Sequence, residues 1–175
     1  MTAGTPAAPA ATARGNAVDR AFARRLVPHH EQAVAVAQLA VGRAEHRALR
    51  ALAADVVQVR RRDLRRVRPV ARHLGVRPGR TERVDQLAVL DDADTMGLSI
   101  DVLGTDAAAL AHADPFDRAV LDAMIAHDRC AIRMARVELA RGMNPQLRAV
   151  ARWIVRGQAA EVARMCAWNE AWYGG

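Results

Sequence analysis

An internal duplication is the feature of the sequence that most constrains the fold. When the 175-residue chain is shifted on itself by 98 residues, residues 18–37 align with residues 116–135, and the match continues without a gap. Identical residues recur at matching positions of the two halves: Asp19 and Asp117, His29 and His127, Ala33 and Ala131, Ala53 and Ala151. Such a chain is expected to fold into two similar units that pack against each other.

Each repeat has the pattern of a helical hairpin. Apolar residues recur with a 3.6-residue period, as in Phe22, Leu26 and Ala33, and this indicates amphipathic helices. Only 3% of the residues are aromatic, and small apolar side chains suit close helix packing. We predict an all-α four-helix bundle made of two duplicated helical hairpins with a long crossover. The predicted helices span residues 17–42, 46–74, 115–141 and 145–172.

Helix starts and connections divide the chain into four segments within one bundle domain. Asn16 precedes Asp19 by three residues, and Asp114 precedes Asp117 in the same way, which is typical of a capped helix start. We interpret both downstream aspartates as first-turn charges favoured by the helix dipole, with Pro115 at the first helical position. The predicted segments are a disordered tail (1–16), a first hairpin (17–75), a crossover with one or two short helices (76–113) and a second hairpin (114–175).

Polar residues lie opposite one another at the middle of both predicted hairpins. Residues equally far from the turn of an antiparallel hairpin lie at the same height, and buried polar groups there are costly unless they are paired. Two explanations fit: a transition-metal site built from imidazoles and carboxylates on facing helices, or an internal hydrogen-bond network without a metal. The facing residues are His29, His30, Arg60 and Asp63 in the first repeat, and His127, Asp128, Gln158 and Glu161 in the second.

The metal hypothesis names copper or another divalent transition metal as the ion. Sulfur-containing residues (Met124, Cys130, Met134 and Met165) lie near His127 in the predicted register and would suit Cu(I), although methionine and free cysteine are also ordinary core residues. The same register separates Cys130 from the other cysteine by about 15 Å, so we predict two free thiols. The candidate metal ligands are His29, His30, His127, Asp128, Glu161, Gln158 and Met124.

Other kinds of function have little support in the sequence. The Glu-x-x-His pairs of di-iron bundles are absent, as are a Gly-rich phosphate loop and a nucleophile elbow, so we expect a protein that is not an enzyme. No stretch is long and apolar enough to span a membrane, and no signal peptide is visible. A homodimer is left open.

A run of arginines in the second predicted helix allows two interpretations. All 26 basic residues are arginine and the net charge is +7. The run is either a phosphate-binding face or a solvated helix face whose side-chain stems cover apolar neighbours. Because no aromatic residues are interleaved with it, we expect no specific nucleic-acid partner. The run comprises Arg61, Arg62, Arg65, Arg66, Arg68 and Arg72.

The sequence resembles the domain of unknown function 305 family over nearly all of residues 18–173. The resemblance implies a ferritin-like bundle in an uncharacterised, often exported protein, and hence a secreted or extracytoplasmic location; some relatives are associated with copper binding or copper tolerance. The segment Met96-Gly97-Leu98-Ser99 looks like the family's Gly-Met turn. The other matching motifs are Asp19-x-x-Phe22, Pro28-His29-His30 and Ala33, then Phe116-Asp117-Arg118, Met124-Ile125-x-His127, Ala131-Ile132-x-Met134-Ala135 and Gln158-x-x-Glu161.

The sequence departs from the family's pattern at three places. His127-Asp128 stands where a His-His pair is usual, Arg60-x-x-Asp63 where Gln-x-x-Glu is usual, and Leu98 where methionine is common. A guanidinium does not ligate a metal ion and repels one. We therefore hypothesise a central ion-pair network of Arg60, Asp63, Asp128 and Glu161, in which Arg60 substitutes for a metal ion and pairs with Asp128 or Glu161.

These patterns lead to three hypotheses of different classes. The leading one is a non-enzymatic protein that binds a metal ion, copper before others, at a partly degenerate site. The alternative is a structural or protein-interaction module in which the arginine–carboxylate network replaces the metal. The third and weakest is binding of a polyanion through the arginine run.

Overall fold

The computed structural model describes residues 15–77 and 107–174. The four long helices agree with the predicted ranges to within one residue at each end, and the predicted all-α four-helix bundle is confirmed. Residues 1–14 and 78–106, which include most of the predicted tail and the Met96–Ser99 segment, lie outside the described residues. The helices are α1 (Ala17–Arg43), α2 (Arg47–His73), the single turn α3 (Ala107–Leu110), α4 (Phe116–Arg141) and α5 (Pro145–Tyr173).

The long helices pack as two hairpins placed side by side. α1 packs along α2 and α4 along α5, and the hairpins meet through α1 against α4 and α2 against α5. Two apolar clusters fill the bundle. One includes Phe22, Leu26, Val67 and Leu147, and the other includes Val36, Leu49, Leu121 and Met165. Within the described part of the chain, no helix is both long and apolar enough to cross a membrane.

A carboxylate at the start of each hairpin fixes the turn of the other hairpin. Asp19 accepts hydrogen bonds from the backbone N–H groups of residues 143 and 144, at 3.1 and 2.8 Å. Its repeat counterpart Asp117 accepts from those of residues 45 and 46, at 3.0 and 2.8 Å. The two aspartates are first-turn charges, as expected, but they also join the two repeats to each other.

The two hairpins begin differently. Asn16 and Asp19 form the predicted capping box, in which the Asn16 side chain accepts from Asp19 N at 3.0 Å. The prediction for the second hairpin was wrong by one residue, because the backbone of Pro115 is still extended and α4 begins at Phe116. No side chain caps this helix start. The Asp117 carboxylate is instead engaged by the turn of the first hairpin.

Candidate functional site

A layer of eight buried polar side chains crosses the bundle between the two apolar clusters. Each long helix contributes two of them, and none is more than 7% exposed. We call this set the central polar layer. The structure thus brings to one level the polar residues that the hairpin register placed at mid-height. The layer comprises His29 and His30 of α1, Arg60 and Asp63 of α2, His127 and Asp128 of α4, and Gln158 and Glu161 of α5.

Arg60 joins three helices at the centre of this layer. Its Nη2 atom lies 3.0 Å from Asp128 Oδ1 and 2.5 Å from Glu161 Oε2. Burial would lower the pKa of Arg60, but the two carboxylates outweigh this effect and raise it. The ion pair predicted between Arg60 and either acid is therefore present with both, and its guanidinium is a permanent positive charge inside the bundle.

The two carboxylates that meet Arg60 have different electrostatic environments. Burial raises the pKa of Asp128, but Arg60 and His127 outweigh it, so the net shift is downward and Asp128 is ionised. Burial raises the pKa of Glu161 to about 7, with Arg60 opposing the shift and Asp128 adding to it. Gln158, with its amide nitrogen turned toward Asp128, donates to the carboxylate and backbone oxygens of Asp128, each at 3.3 Å.

Three histidine rings lie beside this ion pair. The rings of His29 and His127 have centroids 3.6 Å apart, and His29 and His30 have centroids 6.1 Å apart. His127 Nε2 lies 3.0 Å from the backbone oxygen of His29, to which it donates as the Nε2–H tautomer. His30 Nε2 lies 3.6 Å from Asp63 Oδ2, which is longer than a hydrogen bond.

The histidine nitrogens are mostly without partners. Both ring nitrogens of His29 and His30, and Nδ1 of His127, have no hydrogen-bond partner among the described residues. Burial lowers the pKa of His29 well below its ordinary value, and the neighbouring histidines and Arg60 add to the shift. Burial also lowers the pKa of His30 to about 4, although Asp63 opposes the shift. His29 and His30 are therefore neutral at neutral pH, and each has a ring nitrogen with an available lone pair.

The arrangement does not fit a divalent metal ion held by several protein ligands. Within residues 15–77 and 107–174, no group of three or more His, Cys, Asp and Glu side chains is placed to hold a metal ion. The Asp128 and Glu161 carboxylates are engaged by Arg60 instead. The donors that remain are the neutral imidazoles and the Asp63 carboxylate, and imidazole is a ligand of copper as well as of zinc, iron and nickel.

The predicted sulfur ligands lie outside the central polar layer. Met124 and Met165, predicted to be close in height, line one apolar cavity of about 10 Å³ together with aliphatic residues such as Val56 and Val120. Cys130 and Cys166 are free thiols, as predicted, and both are only partly buried. Met124 is therefore part of the apolar packing one helical turn before His127.

A second buried carboxyl group was missed by sequence reasoning. Glu138 of α4 is fully buried beside Asp19. Its carboxyl group lies against Gly142, and any side chain at position 142 would overlap with it. A signal was available, because the repeat counterpart of Glu138 is Ala40, which is also fully buried. An acid at a position where the other repeat has a core alanine indicates an unusual buried group.

An aromatic cluster at the other end of the bundle was also missed. The ring of His46 stacks on Trp172, with centroids 3.6 Å apart and planes inclined by 6°. His46 Nδ1 lies 2.8 Å from Asp117 Oδ2, and Trp168 stacks on Trp172 in turn. This cluster fixes the C-terminal end of α5 to the α1–α2 turn. No sequence pattern predicted it, because the contact depends on how the two hairpins dock.

Known proteins share both the sequence pattern and the fold of this chain. The family model for the domain of unknown function DUF305 matches residues 12–169. The structure of CopM in its Cu(I)-bound form has a TM-score of 0.70 and 26% sequence identity, covering 89% of this chain and 97% of that chain. CopM in the Ag-bound form obtained by soaking has the same TM-score and identity, with 89% and 96% covered.

A more distant relative has the same fold. A DUF305 fragment from Deinococcus radiodurans has a TM-score of 0.68 and 23% identity, covering 88% of this chain and 96% of that chain. No curated protein matches the sequence. Because the family model spans most of the sequence and the related structures are bundles of the same fold, this chain belongs to the DUF305 family.

Proposed function

We propose that this protein is a non-enzymatic copper-binding bundle that holds Cu(I) through the imidazoles of its central polar layer. The observation that carries the proposal is a group of three buried histidines in which five of the six ring nitrogens lack a hydrogen-bond partner among the described residues. A buried polar atom without a partner costs on the order of 1–3 kcal/mol, so a ligand that engages several of them would be stabilised. Neutral imidazole nitrogen is a copper ligand.

His29 and His127 are the proposed ligands, with His30 as a third donor. His29 and His127 come from different repeats and have rings in contact, and both are at most 2% exposed. His127 donates Nε2–H to a carbonyl, and its Nδ1 has no hydrogen-bond partner and lies 3.7 Å from Asp128 Oδ1. Bound Cu(I) would be stored or transferred without a chemical reaction. The similarity to CopM, whose structures include Cu(I), Cu(II) and Ag forms, supports a copper-related role.

The proposal is tested by an anaerobic Cu(I) titration of untagged protein against a colorimetric Cu(I) chelator. We expect wild-type protein to withdraw one Cu(I) per chain from the chelator, and its thermal midpoint to rise with bound Cu(I) or Ag(I). His127→Leu and His29→Leu should lose this binding while keeping the helical circular-dichroism spectrum. His73→Leu, at an exposed position of α2, is the matched control and should bind as the wild type does.

Two outcomes would contradict the proposal. One is wild-type protein that leaves all Cu(I) with the chelator. The other is a folded His127→Leu variant that binds Cu(I) as tightly as the wild type, because the ion would then be held elsewhere.

A structural or interaction module is the second candidate function. It is favoured by the position of Arg60, because its Nη2 atom pairs with acids of both α4 and α5 and so joins these helices to α2 inside the core. A module of this kind would bind neither Cu(I) nor Ag(I), yet it would lose its fold when Arg60 is removed. The Cu(I) titration above therefore separates the two candidates.

A further inference from the structure

One guanidinium nitrogen holds carboxylates from two other helices together. Nη2 of Arg60 lies within hydrogen-bond distance of both Asp128 Oδ1 and Glu161 Oε2. Arg60 is 1% exposed and is among the largest fully buried side chains of the bundle. In a helical bundle, a cation between two inward carboxylates has the position that a metal ion takes in carboxylate-rich sites.

The internal repeat indicates why a cation lies at this point. The position equivalent to Arg60 in the second repeat is Gln158, and the position equivalent to Asp128 in the first repeat is His30. The first hairpin therefore has a positive charge where the second has a neutral glutamine, and the second has an acid where the first has a histidine. These two differences meet in the Arg60–Asp128 ion pair, so each compensates the other.

Removal of the guanidinium would leave a set of residues of a different kind. Imidazoles and carboxylates together are the donor set of divalent ions such as Zn²⁺ and Co²⁺. With Arg60 in place, a divalent ion would have to break charge-assisted hydrogen bonds and approach a fixed positive charge in a poorly solvated interior. The imidazole and carboxylate side chains left without Arg60 are His29, His30, His127, Asp63, Asp128 and Glu161.

We infer that Arg60 is an internal cation that excludes divalent metal ions from the central polar layer, and that removing its charge opens a divalent site there. Arg60 thus determines the specificity of the layer, because it withholds the Asp128 and Glu161 carboxylates from a metal ion and leaves the neutral imidazoles and Asp63 as donors. The inference rests on the proposed function for the identity of the ion that the wild type binds. Its statement about divalent ions is independent of that function.

The test measures divalent binding by the full untagged chain with Co²⁺ and Zn²⁺ as probes. Arg60→Gln copies the residue of the other repeat, and the double variant Arg60→Gln/Asp128→His makes the two repeats alike in both positions. We expect both variants to bind one Co²⁺, seen as a ligand-field absorption band, about a hundredfold more tightly than the wild type. Arg61→Gln, at the exposed neighbouring position, should behave as the wild type does.

The double variant keeps the inference falsifiable if the single variant does not fold. Arg60→Gln leaves Asp128 without its counter-ion and is expected to be destabilised, whereas the double variant removes one charge of each sign. A folded double variant that binds Co²⁺ and Zn²⁺ no more tightly than the wild type overturns the inference. A double variant that fails to fold also overturns it, because the two differences between the repeats would then not compensate each other.

The inference and the proposed function can fail separately. Gain of Co²⁺ binding by the variants, together with no Cu(I) binding by the wild type, would support the role of Arg60 and reject the copper proposal. Cu(I) binding by the wild type without any gain of Co²⁺ binding by the double variant would support the copper proposal and reject the role of Arg60.

Discussion

Glu138 is a buried acid that has a second acid as its neighbour. Both of its carboxyl oxygens lack a hydrogen-bond partner among the described residues. Burial and the neighbouring Asp19 raise the pKa of Glu138 to about 8, with Arg148 opposing the shift. Arg148 donates instead to the backbone oxygens of Leu139 and Gly142, at 2.7 and 2.9 Å. Glu138 is therefore mostly protonated at neutral pH.

Replacing Glu138 by glutamine should make the protein more stable in alkali. Because the folded-state pKa lies above the unfolded value of 4.5, the stabilisation from the bound proton is complete below about pH 4.5 and is lost as the pH rises through 8. Glutamine mimics the protonated acid at every pH. We expect Glu138→Gln to match the wild type near pH 5 and to exceed it by about 4 kcal/mol in free energy of unfolding at pH 8.5.

Urea unfolding at pH 5 and pH 8.5 measures this difference. Glu170→Gln, at an exposed position of α5, is the control and should leave the pH dependence unchanged. Equal pH dependence of Glu138→Gln and the wild type would mean that Glu138 is ionised in the folded protein.

The sequence predicted the positions of the polar residues better than their contacts. Helical periodicity and hairpin register place residues such as His29 and Arg60 on an inward face and at one height, and the pairing of Arg60 with acids follows from its charge. The hydrogen bond from His127 to the His29 backbone oxygen depends on ring orientation, which these patterns do not specify. Glu138 was missed because periodicity identifies a buried position without stating which group it will meet.

At the scale of helices and turns, Asp19 and Asp117 connect the two repeats. Each carboxylate accepts hydrogen bonds from two backbone N–H groups of the opposite turn. Such hydrogen bonds to a charged acceptor are stronger than neutral ones. The repeat predicted two equivalent aspartates, but their partners depend on the docking of the hairpins and were not predictable from either repeat alone.

Removing the Asp117 carboxylate should weaken the contact between the hairpins. We expect Asp117→Ala to lower the free energy of unfolding by about 2 kcal/mol, because two backbone donors of the α1–α2 turn and His46 Nδ1 lose their acceptor. Amide hydrogen exchange at residues 45 and 46 should become faster. Asp55→Ala, at an exposed position of α2, is the control. Unchanged exchange at this turn would contradict the prediction.

At the scale of the whole molecule, folding redistributes protons among buried groups. The pKa values of His29 and His30 are lowered from 6.5 mainly by burial, whereas those of Glu138 and Glu161 are raised from 4.5 to about 8 and about 7. Between about pH 4.5 and 6.5, folding therefore removes protons from two histidines and adds protons to two glutamates. The net number of bound protons changes little, so stability should depend weakly on pH in this window.

Outside this window, the two pairs of groups no longer balance. Above pH 6.5 the histidines are neutral in both states while the folded glutamates still retain protons, so the free energy of unfolding should fall by about 2 kcal/mol between pH 6.5 and 8. Below pH 4.5 the glutamates are protonated in both states. The unfolded histidines still bind protons that the folded ones do not, so stability should fall again as the pH drops toward 4 and below.

Urea unfolding of metal-free protein across pH 3.5 to 8.5 should therefore give a plateau with a decline on each side. Glu138→Gln should remove most of the alkaline decline and leave the acid decline in place, because the acid decline arises from His29 and His30. A stability that rises steadily from pH 5 to pH 8 would contradict this account. That outcome would mean that Glu138 and Glu161 are ionised in the folded state, and that Arg60 stabilises the Glu161 carboxylate enough to offset its burial.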